Sequence, residues 1–234
     1  MLELHQFPRA KAFPNYSPFC LKVELYLVFH GIEYRVNEIS SLKGSPTGKV
    51  PYIIHDSRII SDSNRILPYL DEHFRINMDF TLDEKQRGIS RMVDCLCQDS
   101  LYFCMVYSRW MEPNNFQKIS DGLLVKVPEI LRKIPRWYIQ RQIASQLWAQ
   151  GILRNSRDQI YAIGRKDLEA ISRVLGKQHY IHGMNMTMVD MTVFAFLANI
   201  HYPPFDSPLK TEFLRFQNLL DYCERVKARI QMSF

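Results

Sequence analysis

The chain has 234 residues, 47% of them hydrophobic and 23% charged, and it carries a net charge of +6. This length and apolar content predict an ordinary globular protein with one large or two modest domains. The longest uncharged apolar run is half the length of a membrane span, and the first residues lack the features of a signal peptide, so we expect a cytoplasmic protein. The five cysteines do not have the spacing of a disulfide framework or a zinc site, so we expect reduced thiols and no bound metal.

The first elements in the chain are a short strand and an apolar helix. Leu2, Leu4 and Phe7 indicate the strand, and a helix over 18–30 follows. It begins at Ser17-Pro18, because proline suits the first helical position and serine the N-cap. Its apolar residues favour one broad side, with Lys22 and Glu24 placed elsewhere. The free N–H groups at its start, beside the Ser17 hydroxyl, form an anion site.

Three further strands and a helix complete the first part. Tyr34 and Val36 predict a second strand, parallel to the first by the crossover rule, which gives a β-α-β unit. Residues 52–60 predict a hairpin, and Ser61 or Asp62 can cap a helix that follows it. The result is β-α-β followed by β-β-α.

The second part is predicted to be all helical. Thr187 and Asp190 form a variant capping box before an apolar run, 191–197, which indicates a central buried helix. Helices are predicted over 82–110, 121–134, 137–151, 158–175, 187–199 and 209–230.

One segment is strongly basic. Residues 126–166 contain nine Lys or Arg and two acidic residues, a net charge of +7. Such a segment favours a protein or acidic-surface partner, or it is a solvated helix face. Aromatic residues do not interleave with the charges, so we expect no nucleic acid as partner.

The chain contains four motifs, which are Ser17-Pro18-Phe19-Cys20, the run from Ser45 to Val50-Pro51, Asp62-Ser63, and Thr187 with Asp190. Together they resemble the motifs of the glutathione S-transferase superfamily. Residues 17–22, 164–168 and 187–194 resemble more closely the branch of failed-axon-connections proteins and their bacterial relatives, with metaxins more distant. The resemblance implies a thioredoxin-like glutathione-binding domain over 1–76 and an all-helical domain over 82–234. It also implies a homodimer.

The resemblance implies a binding site for glutathione as co-substrate. Pro51 is expected to follow a cis peptide bond, which leaves the Val50 backbone as an edge for the cysteinyl part. Asp62 would bind the γ-glutamyl ammonium, Ser63 its carboxylate, and Lys49 the glycyl carboxylate.

The catalytic residue implied is Ser17, whose hydroxyl would donate to the glutathione sulfur for transfer to a hydrophobic electrophile. Tyr16, Cys20 and Arg165 are secondary candidates, of which Arg165 can project toward the cleft. Thr187 and Asp190 are assigned to folding. Two other functions stay open. One is a non-catalytic adapter with this fold that binds a protein or membrane, and the other is a glutathione-dependent reductase that uses Cys20.

Overall fold

The computed structural model describes residues 1–9, 13–39, 41–123, 128–230 and 232, without the side chains of 122, 123 and 130. Its first part contains, in chain order, β1 (Leu2–Gln6), α1 (Pro18–Phe29), β2 (Tyr34–Glu38), β3 (Tyr52–His55), β4 (Arg58–Ser61) and α2 (Ser63–His73).

The four strands form one mixed sheet in the order β2-β1-β3-β4. As predicted, β1 and β2 are parallel and β3 and β4 form an antiparallel hairpin. The structure adds that β3 also runs antiparallel to β1. The strand predicted to reach Phe7 ends at Gln6. Asp56 and Ser57 form the hairpin turn with positive φ values of 47° and 64°, as type I′ turns require.

The prediction that Lys22 and Glu24 lie off the buried side of α1 is wrong. Both side chains are buried, 2% and 0% exposed, because nearly every side of this helix is covered. A single hydrophobic stripe therefore does not describe α1. The helix ends as predicted before Gly31, whose φ of 63° suits a residue without a Cβ.

The second part is helical, which confirms the predicted fold class. Its elements are α3 (Glu84–Cys95), a π-helical segment (Leu96–Leu101), α4 (Tyr102–Trp110), α5 (Pro113–Leu123), α6 (Lys133–Gln150), α7 (Arg157–Leu175), α8 (Met188–His201), α9 (Pro208–Phe213) and α10 (Gln217–Ile230). Short 3₁₀ segments, Glu129–Leu131 and Ile152–Arg154, precede and follow α6.

Two of the predicted helices differ from those observed. The range 121–134, predicted as one helix, contains the end of α5, the 3₁₀ segment Glu129–Leu131 and the start of α6, and residues 124–127 are outside the described part of the chain. The helix predicted over 209–230 is divided into α9 and α10. Lys126, the first residue of the predicted basic segment, also lies outside the described residues.

The chain divides into two compact units that interleave along the sequence. The first comprises Met1–Asp94, Val174–Pro203 and Gln217–Phe234, and the second comprises Cys95–Arg173 and Pro204–Phe216. In the first unit α8 packs on α1, with the rings of Phe19 and Phe196 edge to face at 5.4 Å. None of the described helices combines the length and apolar character needed to cross a membrane.

Candidate functional site

The amino end of α1 presents a partly exposed serine hydroxyl. Ser17 is the N-cap, Pro18 is the first helical residue, and the Ser17 Oγ accepts a hydrogen bond from the Cys20 N–H at 3.3 Å. The helix dipole and the free N–H groups of the first turn favour negative charge here. A hydroxyl at this position can donate its hydrogen to an anion while its oxygen accepts the Cys20 bond.

Asn15 fixes the approach to this helix and was missed by the sequence analysis. Its buried side chain accepts from the Ser17 N–H at 2.9 Å and donates to the Phe7 carbonyl at 2.9 Å. Asn199 of α8 donates to the Asn15 carbonyl at 3.3 Å. The end of β1, the loop before α1 and helix α8 therefore hold Ser17 in place together. Only the turn-forming tendency of asparagine hinted at this in the sequence.

A second part of the site lies where β3 begins. The Val50–Pro51 peptide bond is cis, as expected, and Pro51 is buried. The Pro51 carbonyl accepts from the Asp62 N–H at 3.3 Å. Lys49 is exposed, and its amide donates to Ser45 Oγ at 3.1 Å.

The third part is the turn into α2. Asp62 has φ 78° and ψ 123°, a strained backbone for a residue with a side chain, and its Oδ1 caps the helix by accepting from the Asn64 N–H at 2.9 Å. Ser63 is buried, and its hydroxyl has no hydrogen-bond partner among the described residues. An unpaired buried hydroxyl at a helix start is free to rotate toward an anion.

Sheet register brings these three parts to one edge. His5 near the end of β1 pairs with Tyr52 at the start of β3, and Tyr52 pairs with Ser61 at the end of β4. Since the Asn15 bond to the Phe7 carbonyl ties the loop before α1 to the same end of β1, Ser17 belongs to this edge as well.

Lys22 adds a cation that the sequence analysis placed elsewhere. Its Nζ donates to Asn64 Oδ1 at 2.8 Å, so the buried ammonium links α1 to the first turn of α2. A fixed positive charge beside two helix starts strengthens the preference for an anionic ligand. The signal in the sequence was a lone lysine within an apolar helix.

Glu24 is held by a separate, structural network. It accepts hydrogen bonds from Gln6 and Tyr34, each at 3.1 Å, and from the guanidinium of Arg9. Burial, and then the Glu24 charge, raise the pKa of Tyr34. The Glu24 carboxylate thus joins β1, α1 and β2, and its oxygens already accept hydrogen bonds from these side chains.

The other predicted residues are a buried cysteine, a tyrosine stacked on a neighbouring ring, and an exposed arginine of the second unit. Cys20 is fully buried, and burial raises the pKa of its thiol to about 11, so the thiolate needed for exchange is scarce at neutral pH. The ring of Tyr16 stacks with Phe13 at 6.0 Å. Arg165 is exposed on α7, in the second unit.

Thr187 and Asp190 form the capping box of α8. Asp190 Oδ2 accepts from the Thr187 N–H and hydroxyl, each at 2.8 Å, while Oδ1 accepts from the Ile181 N–H at 2.9 Å and the Tyr222 hydroxyl at 3.1 Å. Burial raises the pKa of Asp190, and these donors oppose that rise. The arrangement fixes the start of a buried helix.

A histidine cluster lies at the opposite end of β3. The possible ligand atoms of His55, Asp56 and His73 lie within 4.8 Å of one another, and this is the one such group among the described residues. His55 also pairs with the Tyr69 hydroxyl at 3.0 Å. Asp56 and His73 are exposed, and we assign the cluster no role in the site at the other edge.

The comparisons with known proteins identify the family. The model of the glutathione S-transferase N-terminal domain matches residues 18–115, and that of the C-terminal domain matches residues 164–226. The chain belongs to the glutathione S-transferase family. Residues 116–163 lie between the ranges that the two family models match.

Its relatives include both an enzyme and proteins named for other roles. The isoprene-epoxide–glutathione S-transferase of Rhodococcus sp. (strain AD45) is 28% identical over 98% of this chain and 99% of its own length. Failed axon connections of Drosophila melanogaster is 27% identical over 98% of this chain, which spans 58% of that protein. Human metaxin-1 is 23% identical over 96% of this chain and 50% of its own length.

The solved structures show the same fold. A glutathione S-transferase from Methylobacterium radiotolerans, determined with glutathione sulfonate, has a TM-score of 0.62. The comparison covers 99% of this chain and 93% of that one at 17% identity. The predicted glutathione S-transferase fold is thereby confirmed.

Proposed function

We propose that this chain is a glutathione transferase in which the Ser17 hydroxyl stabilises the thiolate of bound glutathione. The observation that carries the proposal is Asp62, whose strained backbone stands beside the unpaired Ser63 hydroxyl on the sheet edge that Ser17 shares. Backbone strain of this kind costs about 1–3 kcal/mol and persists chiefly at ligand sites. A folding role alone does not require it, because an unstrained residue can cap a helix.

In the proposed complex each part of glutathione meets one part of the site. The Asp62 carboxylate oxygen that does not accept from the Asn64 N–H binds the γ-glutamyl ammonium. The N–H groups at the start of α2, with the Ser63 hydroxyl, bind the carboxylate of the same γ-glutamyl group. The Val50 backbone pairs with the cysteinyl residue, and Lys49 takes the glycyl carboxylate.

The energy required for thiol activation is within reach of Ser17 and its helix. A thiol with a pKa of about 8.5 must lose roughly 2 units to be ionised at neutral pH, which is about 2.7 kcal/mol. A hydrogen bond to a charged group contributes about 1.5–3 kcal/mol, and a helix N-terminus adds about 0.3–1 kcal/mol. No additional base is needed.

The Rhodococcus relative suggests an epoxide as the electrophile. The glutathione thiolate would attack a ring carbon, a sulfur–carbon bond would form as the carbon–oxygen bond breaks, and the resulting alkoxide would take a proton from water. The predicted homodimer and cytoplasmic location stay predictions.

A non-catalytic adapter is the second candidate function. It is favoured by a group of large apolar side chains exposed between Leu131 and Trp148 in the second unit, a surface that thiol chemistry does not need. We do not propose the reductase, because burial keeps the Cys20 thiol protonated.

Turnover of an epoxide and of an arylating electrophile tests the transferase, with Ser17→Ala as the variant. Ser207→Ala is a matched control, because Ser207 also precedes a proline and caps a helix, its Oγ accepting from the Lys210 N–H at 3.2 Å. Each variant loses one cap, about 1 kcal/mol of stability. We expect kcat/KM to fall about 10- to 100-fold for Ser17→Ala alone.

Equal rates for the wild type and Ser17→Ala would exclude the proposed role of the hydroxyl. Calorimetric titration with glutathione separates the transferase from the adapter. A binding heat and a thermal shift support the transferase, since a ligand that binds only the folded state raises its stability. Neither signal at millimolar glutathione would favour the adapter.

A further inference from the structure

Helix α6 has an outward apolar face, which we define as Ile134, Trp137, Tyr138 and Trp148 together with Leu131 from the preceding 3₁₀ segment. These side chains are 79%, 60%, 62%, 56% and 61% exposed, respectively. Large apolar residues exposed singly are ordinary, but five close in sequence, three of them aromatic, form a patch that needs a covering partner.

The helix period places this face on one side of α6. The four residues of the face that belong to α6, at positions 134, 137, 138 and 148, fall with Arg141 and Ser145 within an arc of about 100°. From the first to the last the face extends about 21 Å at 1.5 Å per residue. The opposite side is anchored in the second unit, where Leu147 is buried and Gln140 donates to the Trp110 carbonyl at 3.1 Å.

The charged residues of the segment that carries the face are all of one sign. Residues 130–157 contain six Lys or Arg and no Asp or Glu. Arg132 and Arg136 are paired with Asp121, whereas no ion pair within the described part of the chain neutralises Lys133, Arg141 or Arg154. All three of these unpaired cations are exposed.

Cations and aromatic rings are paired on this surface, so the expectation that aromatic residues do not interleave with the charges of the basic segment is wrong. The Arg141 guanidinium lies 5.4 Å from the Trp137 ring centroid, and that of Arg154 lies 5.5 Å from the Trp148 ring centroid. Each pair therefore places a positive charge directly beside an aromatic ring. Trp and Tyr beside Lys and Arg are the combination found where a helix lies at the boundary between lipid headgroups and acyl chains.

We propose that this face of α6 docks on an anionic lipid surface. The aromatic and aliphatic side chains enter the interfacial region, and Lys133, Arg141 and Arg154 meet the anionic headgroups. A protein groove would also accept the apolar side chains, but the absence of any acidic residue over 130–157 specifically complements a uniformly negative surface. The segment lies in the range that neither family model matches, and the proposal is independent of the glutathione site.

Vesicle co-sedimentation tests the proposal, using phosphatidylcholine vesicles with and without phosphatidylserine. We expect binding only when phosphatidylserine is present, a shift of tryptophan emission to shorter wavelength on binding, and release at high salt. The variant Trp137→Ala/Tyr138→Ala should reduce the partition coefficient by a factor of about ten or more. Phe80→Ala is the matched control, because Phe80 is 81% exposed but lies in the first unit.

A second pair of variants isolates the charge. Lys133→Gln/Arg141→Gln should weaken binding by about fivefold for each charge removed, whereas Lys85→Gln/Lys177→Gln, with equal loss of charge at exposed sites elsewhere, should bind as the wild type does. Circular dichroism and glutathione titration of every variant report folding and the thiol site separately.

Three results would overturn the proposal. The first is no binding to either kind of vesicle, and the second is binding that all variants retain. The third is a wild-type dimer in analytical ultracentrifugation that becomes a monomer in Trp137→Ala/Tyr138→Ala without any lipid binding, which would assign the face to a second copy of the chain.

Discussion

The backbone of Asp62 occupies φ 78° and ψ 123°, a region that glycine enters far more readily than aspartate. The carboxylate at that position caps α2 through the Asn64 N–H, but glycine serves almost as well as an N-cap residue. If only stability mattered, glycine would therefore be favoured at position 62. The presence of aspartate indicates that its charge is required for another purpose.

We predict that Asp62→Gly makes the fold more stable and glutathione binding weaker. Relief of backbone strain stabilises the fold, whereas the small loss of capping and the greater entropy of glycine in the unfolded chain destabilise it. The net effect should raise the free energy of unfolding by about 1 kcal/mol. Loss of the partner of the γ-glutamyl ammonium should weaken affinity about tenfold or more. Urea unfolding and calorimetry measure the two effects.

Asp56→Gly supplies the control for that variant. Asp56 also has a positive φ, 47°, but it lies in the hairpin turn at the other end of β3. It should change stability in the same sense and leave glutathione affinity unaltered. Unchanged affinity in Asp62→Gly would mean that the strained aspartate serves the fold and not the ligand.

Helix starts show which elements the sequence could predict. The Ser17-Pro18 signal located α1 correctly, yet the same signal at Ser207-Pro208, where α9 begins, was overlooked because the apolar spacing beyond it suggested one long helix. Pro113 at the start of α5 was overlooked in the same way. At the starts of α5 and α9 the local proline signals were enough to locate the helix, and the period of the apolar residues was the weaker guide.

Tertiary contacts determine those features of the site that local sequence signals did not predict. The burial of Lys22 and Glu24 depends on Asn64 and on Gln6, Arg9 and Tyr34, none of which is near them in the chain. The anchoring of Asn15 by Asn199 spans most of the sequence. The candidate residues Ser17, Pro51, Asp62 and Ser63 were named from motifs, whereas the groups that hold them in place required the structure.

Helix α7 contains a carboxyl group whose titration should affect stability. Asp167 is buried and accepts from the Ser100 hydroxyl at 2.6 Å, and burial raises its pKa from 3.8 to about 6. The folded state thus holds this proton more tightly than the unfolded state does. The contribution of Asp167 to stability is accordingly greatest below pH 4 and declines as the pH rises from about 4 to about 6.

We predict that Asp167→Asn removes this penalty. Relative to the wild type, the gain in unfolding free energy should rise from almost zero at pH 4 to about 1–3 kcal/mol at pH 7, because asparagine still accepts from Ser100 but has no charge to bury. Urea unfolding across this pH range measures the difference. Asp99→Asn, at an exposed position, should show no such trend, and a parallel pH dependence of the wild type and Asp167→Asn would refute the assignment.

At the scale of the whole molecule, the compact units do not follow the order of the sequence. The first unit contains the sheet and also α8 and α10, so the helix predicted to be central packs against α1. Sequence motifs predicted a thioredoxin-like part and a helical part, but no local pattern records which distant helices complete a core. The proposed transfer chemistry and the proposed lipid face lie in different units and can be tested separately.

The pKa of the thiol of bound glutathione tests the central claim most directly. It can be followed by the ultraviolet absorbance of the thiolate in complexes with the wild type, Ser17→Ala and Ser207→Ala. We predict a pKa lowered by about 2 units in the wild type and Ser207→Ala, with at least about 1 unit of that shift lost in Ser17→Ala. The same thiol pKa in all three complexes, or no complex at all, would contradict the account.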